Sequence, residues 1–333
     1  MASRKSGSDQ MFLEAALSNA TSPPVLAFVL GLIAVAVKSD LRLPEALYQG
    51  LSIYLLLGIG IKGGVALSEA NLNEVALPIL GTLALGIVIP ILAFWIVGKL
   101  TKLDAVNRGA LAAHYGSTSL VTFSAALIFL DSQAVAYEGF VTTLLAILEI
   151  PGIVVGLMLA SRGLGRGLNW SESLREILTS KSIVLLAGGL ILGLITGAAG
   201  YERVEPFFGG LFTGVLALFL LEMGIVAGRR LPDVKQAGFG LVAFSIGFPL
   251  LAGTLGVVVG ELTGLSLGGS VVLGILAASA SYIAAPAAVR LALPEASPGI
   301  YLTASLGITF PFNLIFGIPI MFAVGGLVEG LGF

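Results

Sequence analysis

The sequence contains no cysteine and a single histidine, His114. The first absence excludes disulfides and thiolate metal sites; the second excludes a multi-histidine metal cluster. Charge is scarce too: 11% of the 333 residues are Asp, Glu, Lys or Arg, where a soluble domain carries about a quarter. Hydrophobic residues make up 57% and the mean hydropathy is +1.03, so a water-facing fold could not be kept dissolved. The formal net charge of −2 offers no basic excess for nucleic acid. The lipid bilayer is therefore the expected solvent. Glycine and proline are plentiful, 45 and 14 residues, as in membrane helices that pack closely and break locally.

Ten apolar runs approach the roughly 20 residues that a membrane crossing needs. They fall at roughly 24–38, 47–67, 75–99, 106–130, 136–160, 181–200, 207–228, 236–260, 269–292 and 299–328. Backbone groups in lipid must bond internally, and no alternating barrel pattern is present, so the expected fold class is an all-α membrane protein. Residues 1–22, with Arg4 and Lys5 but only a weak apolar stretch, read as an N-terminal tail and not a signal peptide.

Lys38, Arg42, Lys99, Lys102, Arg108, Arg162, Arg166, Arg175, Lys181, Arg229, Arg230, Lys235 and Arg290 fall in the odd-numbered loops. Only Arg4, Lys5 and Arg203 fall on the other side, and Lys62 lies inside a span. Thirteen against three makes the odd loops cytoplasmic, in a cell inner membrane with both termini outside.

The longest polar connection, 161–180, divides the chain into halves, 1–165 and 166–333. The halves resemble each other at an offset of about 160 residues. "ALAAHYGSTSLVTFSAAL" answers "GILAASASYIAAPAAVRLAL", "EIPGIVVGLMLA" answers "TFPFNLIFGIPIMFA", and "GIGIKGG" answers "EMGIVAG". With five spans in each half, the second copy enters the membrane upside down: 5+5 inverted-topology repeats, a transporter architecture.

Spans four and nine are each interrupted by a polar run, His114 to Ser119 and Ser279 to Pro286. Pro286 lacks an N–H, so a helix restarts there more easily than it continues. Two broken helices then present two positive, N–H-rich starts near the midplane, an anion site without a resident cation. Hydroxyls of Ser117, Thr118, Ser119, Ser279 and Ser281 add donors for a small oxyanion. A serine in one span ordinarily caps a helix or bonds back to the preceding turn; polar breaks at matching positions of two repeats point to a site.

Ionisable residues inside spans are costly. Glu149 precedes Pro151, and the repeat places Thr309 and Asn313 in the comparable part of span ten. A carboxylate among hydroxyl, amide and freed carbonyl oxygens suits Na⁺ or a proton relay, the other reading being a hydrogen bond to the broken helix. Lys62 and Glu222 either neutralise each other or snorkel, or act in gating. His114 reads as a packing residue before a proton carrier, and a Ser117–His114 or Ser119–His114 hydrolase dyad is a weak match to the required geometry. Gly189/Gly193/Gly197 and Gly256/Gly260 let helices approach closely, within the chain or between subunits.

"LPEALYQGLSIYLLLGIGIKGGVAL", "HYGSTSLVTF", "EIPGIVVG" and "SASYIAAPAAVRLALPEASPGIYLTASLGITFPFN" resemble the sodium-dependent bicarbonate transporters of the cyanobacterial SbtA type, over about Leu26 to Ala323. The resemblance implies ten helices divided into a gate domain (spans one, two, six and seven) and a core domain (three to five and eight to ten). It implies a homotrimer, with bicarbonate uptake driven by Na⁺ as coupling ion. It maps the family's substrate site onto the breaks around Ser117 to Ser119 and Ser279 to Tyr282. With the reading of the residues above, the expected substrate site is Gly116, Ser117, Thr118, Ser119, Ser279, Ser281, Tyr282 and Ala285, the expected cation site Ser119, Glu149, Thr309 and Asn313, and the candidates for gating Lys62, Gly63, Gly64 and Glu222. Span nine here lacks the family's serine run, Asp and Gly-Pro-Pro, and span five has Glu149 where those members have Asp. A small organic carboxylate therefore stands as the alternative cargo, and the cytoplasmic linker on which a PII-like regulator acts in those members is much shorter in this chain.

Overall fold

The computed structural model describes residues 13–164 and 167–331, and all regular secondary structure among them is helical. Arg4, Lys5, Arg166 and the boundary between the halves at 165/166 lie outside the described residues. The helices are α1 (Leu13–Ala20), α2 (Pro23–Ala36), α3 (Glu45–Glu69), α4 (Leu72–Leu100), α5 (Ala105–Tyr115), α6 (Leu120–Ser132) and α7 (Val141–Ser161). After these come α8 (Trp170–Leu178), α9 (Lys181–Tyr201), α10 (Glu205–Phe208), α11 (Phe212–Gln236), α12 (Gly238–Leu262), α13 (Leu267–Ala278), α14 (Ala284–Ala292) and α15 (Pro298–Glu329).

Eight helices among the described residues are long and apolar enough to cross a membrane, or nine when α1 and α2, bent by 61°, form one span. The sequence led to an expectation of ten. The difference lies in the first and ninth runs. Alone, α2 has 14 residues, and the run at 269–292 divides into α13 of 12 residues and α14 of nine, with extended backbone at Ser279 between them.

Two groups of helices pack separately. In the first, α3 lies along α9 and α2 lies along α11. Gly60 faces Gly189 and Gly64 faces Gly193; likewise Gly31 faces Gly224 and Gly228 faces Val35. Partners that advance in step mean parallel helices. An added Cβ at Gly193 would lie 2.7 Å from the Val65 nitrogen and 2.9 Å from the Gly64 Cα, both backbone atoms that cannot turn aside. The stripe at Gly189/Gly193 therefore serves packing within the chain, as does Gly256/Gly260, which presses α12 onto α13. Gly193→Val should destabilise the fold by about 1–3 kcal/mol through overpacking, read as a lowered thermal midpoint in detergent.

The second group joins α4, α5, α7, α12, α13 and α15. Here too glycine sets the approach: a Cβ at Gly152 of α7 would collide with the carbonyl of Gly116, and one at Gly116 would come within 2.8 Å of the Gly152 Cα. The end of α5 is thereby pressed against the middle of α7. Contacts of α3 with α7 and of α11 with α15 connect the two groups.

Candidate functional site

Helix α5 stops at Tyr115 and α6 begins at Leu120. Ser119 caps α6: its Oγ accepts from the Thr122 N–H at 3.2 Å, which satisfies one of the unpaired donors at a helix start. On the other side, α13 ends at Ala278 and α14 begins at Ala284, two residues before Pro286, where the sequence alone would restart it. The reason is local. Ser281 Oγ accepts from the Ala285 N–H at 3.2 Å, and Pro286 falls in the first turn, where a missing N–H leaves no helical bond unmade.

The two interruptions cross and bond to each other. The Ser119 N–H donates to Ser279 Oγ (3.0 Å), the Ser281 N–H donates to the His114 carbonyl (2.8 Å), and Ser119 Oγ donates to the Tyr282 hydroxyl (3.1 Å). Because Tyr282 accepts here, its own hydrogen is left to point elsewhere. Ser119, Ser279 and Ser281 are all buried, so each bond replaces a desolvated orphan. Ser117 is buried with its Oγ unpartnered.

Beside the crossing lies a small cavity of ≈ 10 Å³, room for about one water molecule. The segment from Thr118 to Leu120, the segment from Ser281 to Ile283, and Glu149 of α7 line one side; Leu56 of α3 and Ser182 of α9 close the other. The structure thus brings Thr118, Ser119, Ser281, Tyr282 and Glu149 together. Glu149 is 5% exposed, and its carboxylate meets no hydrogen-bond donor among the described residues. Ser182 escaped sequence reasoning because the thirteen residues that follow it, up to Ile195, are all apolar or glycine. Its only sequence signal is a hydroxyl in the first turn of an apolar span.

Thr309 and Asn313 do not join this cavity. Pro249 lacks the N–H that would bond the Ser245 carbonyl in α12, and Thr309 Oγ1 donates to that carbonyl instead, at 2.6 Å. The Tyr115 hydroxyl lies 2.6 Å from the same Oγ1, whose hydrogen is already committed, so Tyr115 is the donor. Asn313 Nδ2 donates to the Ala278 carbonyl at the end of α13 (2.7 Å). Both side chains therefore hold backbone that proline or a helix end has freed. Sequence likeness between the halves led to the expectation that they join Glu149, but their partners lie on α12 and α13, away from the cavity.

Lys62 and Glu222 have separate partners. Lys62 Nζ stands over the Phe212 ring, 5.2 Å from its centroid, whereas Glu222 accepts from the Leu43 N–H at 2.9 Å; mutual neutralisation is excluded. A Cβ at Gly63 would strike Thr142 of α7, and one at Gly64 would strike the Leu190 carbonyl of α9, so this glycine pair lets α3 pack against α9 of its own group and α7 of the other. The His114 ring stacks on Tyr301 (centroids 4.4 Å apart) with Nδ1 at 2.7 Å from the Ala110 carbonyl and Nε2 unpartnered. Neither Ser117 nor Ser119 bonds the imidazole, which removes the hydrolase dyad.

A larger cavity of ≈ 510 Å³ adjoins the small one. Glu45, Tyr48, Glu222, Arg230 and Arg290 line it, and Tyr282 and Ile283 border both. Among the described residues no group of three His, Cys, Asp or Glu could hold a metal ion.

A comparison with curated proteins returns no match. The family model described as the Na⁺-dependent bicarbonate transporter superfamily matches residues 23–325, and that is a family of transporters and not of enzymes. With nine-tenths of its length matched, this multi-pass helical chain belongs to the Na⁺-dependent bicarbonate transporter superfamily.

Proposed function

We propose that the protein is a symporter that carries bicarbonate inward with Na⁺ through a cell inner membrane, and that the crossed interruptions of spans four and nine form its binding site. The observation that carries this reading is the cavity where Ser119, Ser281, Tyr282 and two helix starts meet a lone carboxylate, Glu149, with no resident cationic side chain. Helix starts and hydroxyls bind the oxyanion. Glu149 and Ser119 Oγ offer the hard oxygens that a Na⁺ ion takes. The cavity now holds about one water, so binding requires the site to widen; anion and cation then lie side by side and each makes the other's entry favourable.

Ten crossings in a 5+5 inverted repeat fit the packing. The pair α3 with α9 corresponds to the pair α11 with α2, and α5 with α7 corresponds to α13 with α15. Parallel contacts of α3 with α9 require an odd number of crossings between them, which holds if α5 and α6 make one crossing together with α4 and α7 as the other two. On this reading α2, α3, α9 and α11 form the gate, and the second helix group forms the core. Arg230 and Arg290 in its lining support a cytoplasmic position for the ≈ 510 Å³ vestibule, and on this reading Tyr282 and Ile283 separate the site from the cytoplasm. Along α9, Val184, Ile191, Leu192 and Ile195 are exposed, a face for lipid or for the neighbouring copies of a homotrimer.

The test is uptake of labelled bicarbonate into proteoliposomes. Accumulation against its gradient should occur only with an inward Na⁺ gradient, and should resist competition by acetate or pyruvate. Uptake that ignores Na⁺ refutes symport. Full displacement by a small carboxylate reassigns the cargo.

A further inference from the structure

The crossed helices are tied at their outer ends as well as at the crossing. At the start of α13, the Glu138 carboxylate accepts from the Ser266 N–H (2.6 Å) and from the Ser266 hydroxyl (3.1 Å), while Ser266 Oγ itself caps α13 by accepting from Gly269 N–H (3.2 Å). At the start of α5, Asn107 Oδ1 accepts from the Ser297 N–H (2.8 Å), while the cap residue Asp104 accepts from the Asn107 N–H (2.8 Å) and from Asn107 Nδ2. In each case the first half of one interrupted span is joined to the loop that follows the second half of the other.

The two joints are built from different chemistry. In one, the helix supplies the acceptor (Asn107) and the loop supplies the N–H (Ser297). In the other, the loop supplies the acceptor (Glu138) and the helix cap supplies the N–H (Ser266). Sequence similarity between the halves therefore does not account for them; the same mechanical connection is made twice. Steric fit strengthens the second joint. Gly268 and Gly269 are buried, and a Cβ on Gly269 would meet the Glu138 carboxylate, while one on Gly268 would meet the Ala136 carbonyl. Tyr137 in the same loop donates its hydroxyl to Asp131 at 3.1 Å, so the loop is braced on α6.

We infer that Glu138 and Asn107 are paired clamps, one at each membrane face, and that Glu138 is a positioning residue for the anion site at the other end of α13. The inference rests on the transport reading above. Twelve residues of helix span about 18 Å, so a loosened start of α13 displaces Ser279 and its bond to Ser119 as a lever displaces its tip. Closed clamps make the core one body, which moves against the gate without changing the geometry of the site.

The absence of cysteine makes a direct test possible. Glu138→Ala should raise the KM for bicarbonate roughly tenfold, the size expected for one lost charge-assisted hydrogen bond, with maximal velocity little changed. Glu138→Gln, whose side-chain oxygen still accepts from Ser266, should keep most of the wild-type KM. In E138C/S266C, a short bis-methanethiosulfonate bridge should restore the KM and leave transport running. A wild-type KM in Glu138→Ala, or a bridge that halts transport until reduced, overturns the inference. If the wild-type protein itself shows no Na⁺-driven uptake, the transport reading fails instead. Amide hydrogen exchange at 279–282 then reads the clamp alone: faster exchange in Glu138→Ala supports it, and unchanged exchange overturns it.

Discussion

Ser119→Leu should abolish bicarbonate uptake, a loss of a hundredfold or more in the rate at low substrate. Five effects coincide at this one side chain. The cap on α6 goes, at a cost of roughly 0.5–2 kcal/mol. Tyr282 loses the donor that sets its orientation, and Thr122 Oγ1 loses its acceptor at 2.9 Å. The added carbons enter a space of ≈ 10 Å³ that has no room for them. A hydroxyl bonded to an anion is itself worth about 1.5–3 kcal/mol, ten- to a hundredfold in affinity. Ser119→Thr keeps the hydroxyl and the cap and should retain most of the activity. Measuring both variants at equal amounts of folded protein in the membrane separates loss of the site from loss of the fold. Robust uptake by Ser119→Leu would place the anion elsewhere.

Glu149→Gln should abolish the Na⁺ dependence of anion binding more than the binding itself. A carboxylate and a bicarbonate about 4 Å apart repel by about 4 kcal/mol at an effective dielectric constant of 20, roughly a thousandfold in affinity. On the proposed reading, a Na⁺ ion held by Glu149 would cancel that repulsion, and this would be the physical content of coupling at the site. Gln has nearly the same shape and no charge, so the variant should bind bicarbonate in the absence of Na⁺. Isothermal titration or flux, with and without Na⁺, should show a stimulation ratio close to one. Wild-type Na⁺ stimulation in Glu149→Gln would sink the assignment and move the cation to other oxygens. The prediction is specific because Glu149 has no competing structural bond, unlike Glu222, which holds the Leu43 N–H.

Much of the site's composition is legible in the sequence, because hydroxyls and a carboxylate stand out in apolar runs. Their assignments are less so. Glu149 and Ser119 share a cavity, whereas Thr309, which the repeat makes the counterpart of Glu149, bonds the carbonyl that Pro249 frees in α12. Likeness between two stretches of sequence pairs positions about 160 residues apart, but it does not say which of them lie side by side. Ser182 shows the converse failure: no motif surrounds it, and it reaches the cavity only because α9 lies along α3 at Gly60 and Gly64.

The apolar composition by itself determined that this chain folds as helices in a bilayer, since backbone groups in lipid have no other partners. Local chemistry likewise determined where helices restart: Ser119 caps α6, and Ser281 accepts from a first-turn N–H of α14, each within four residues of its own backbone. Only the tertiary structure decided that Ser119 meets Ser279 and that Ser281 meets His114, contacts between residues about 160 positions apart whose partners depend on how two helices cross. Burial and periodicity are properties of a segment, but a hydrogen bond across the crossing belongs to the packing of both halves at once.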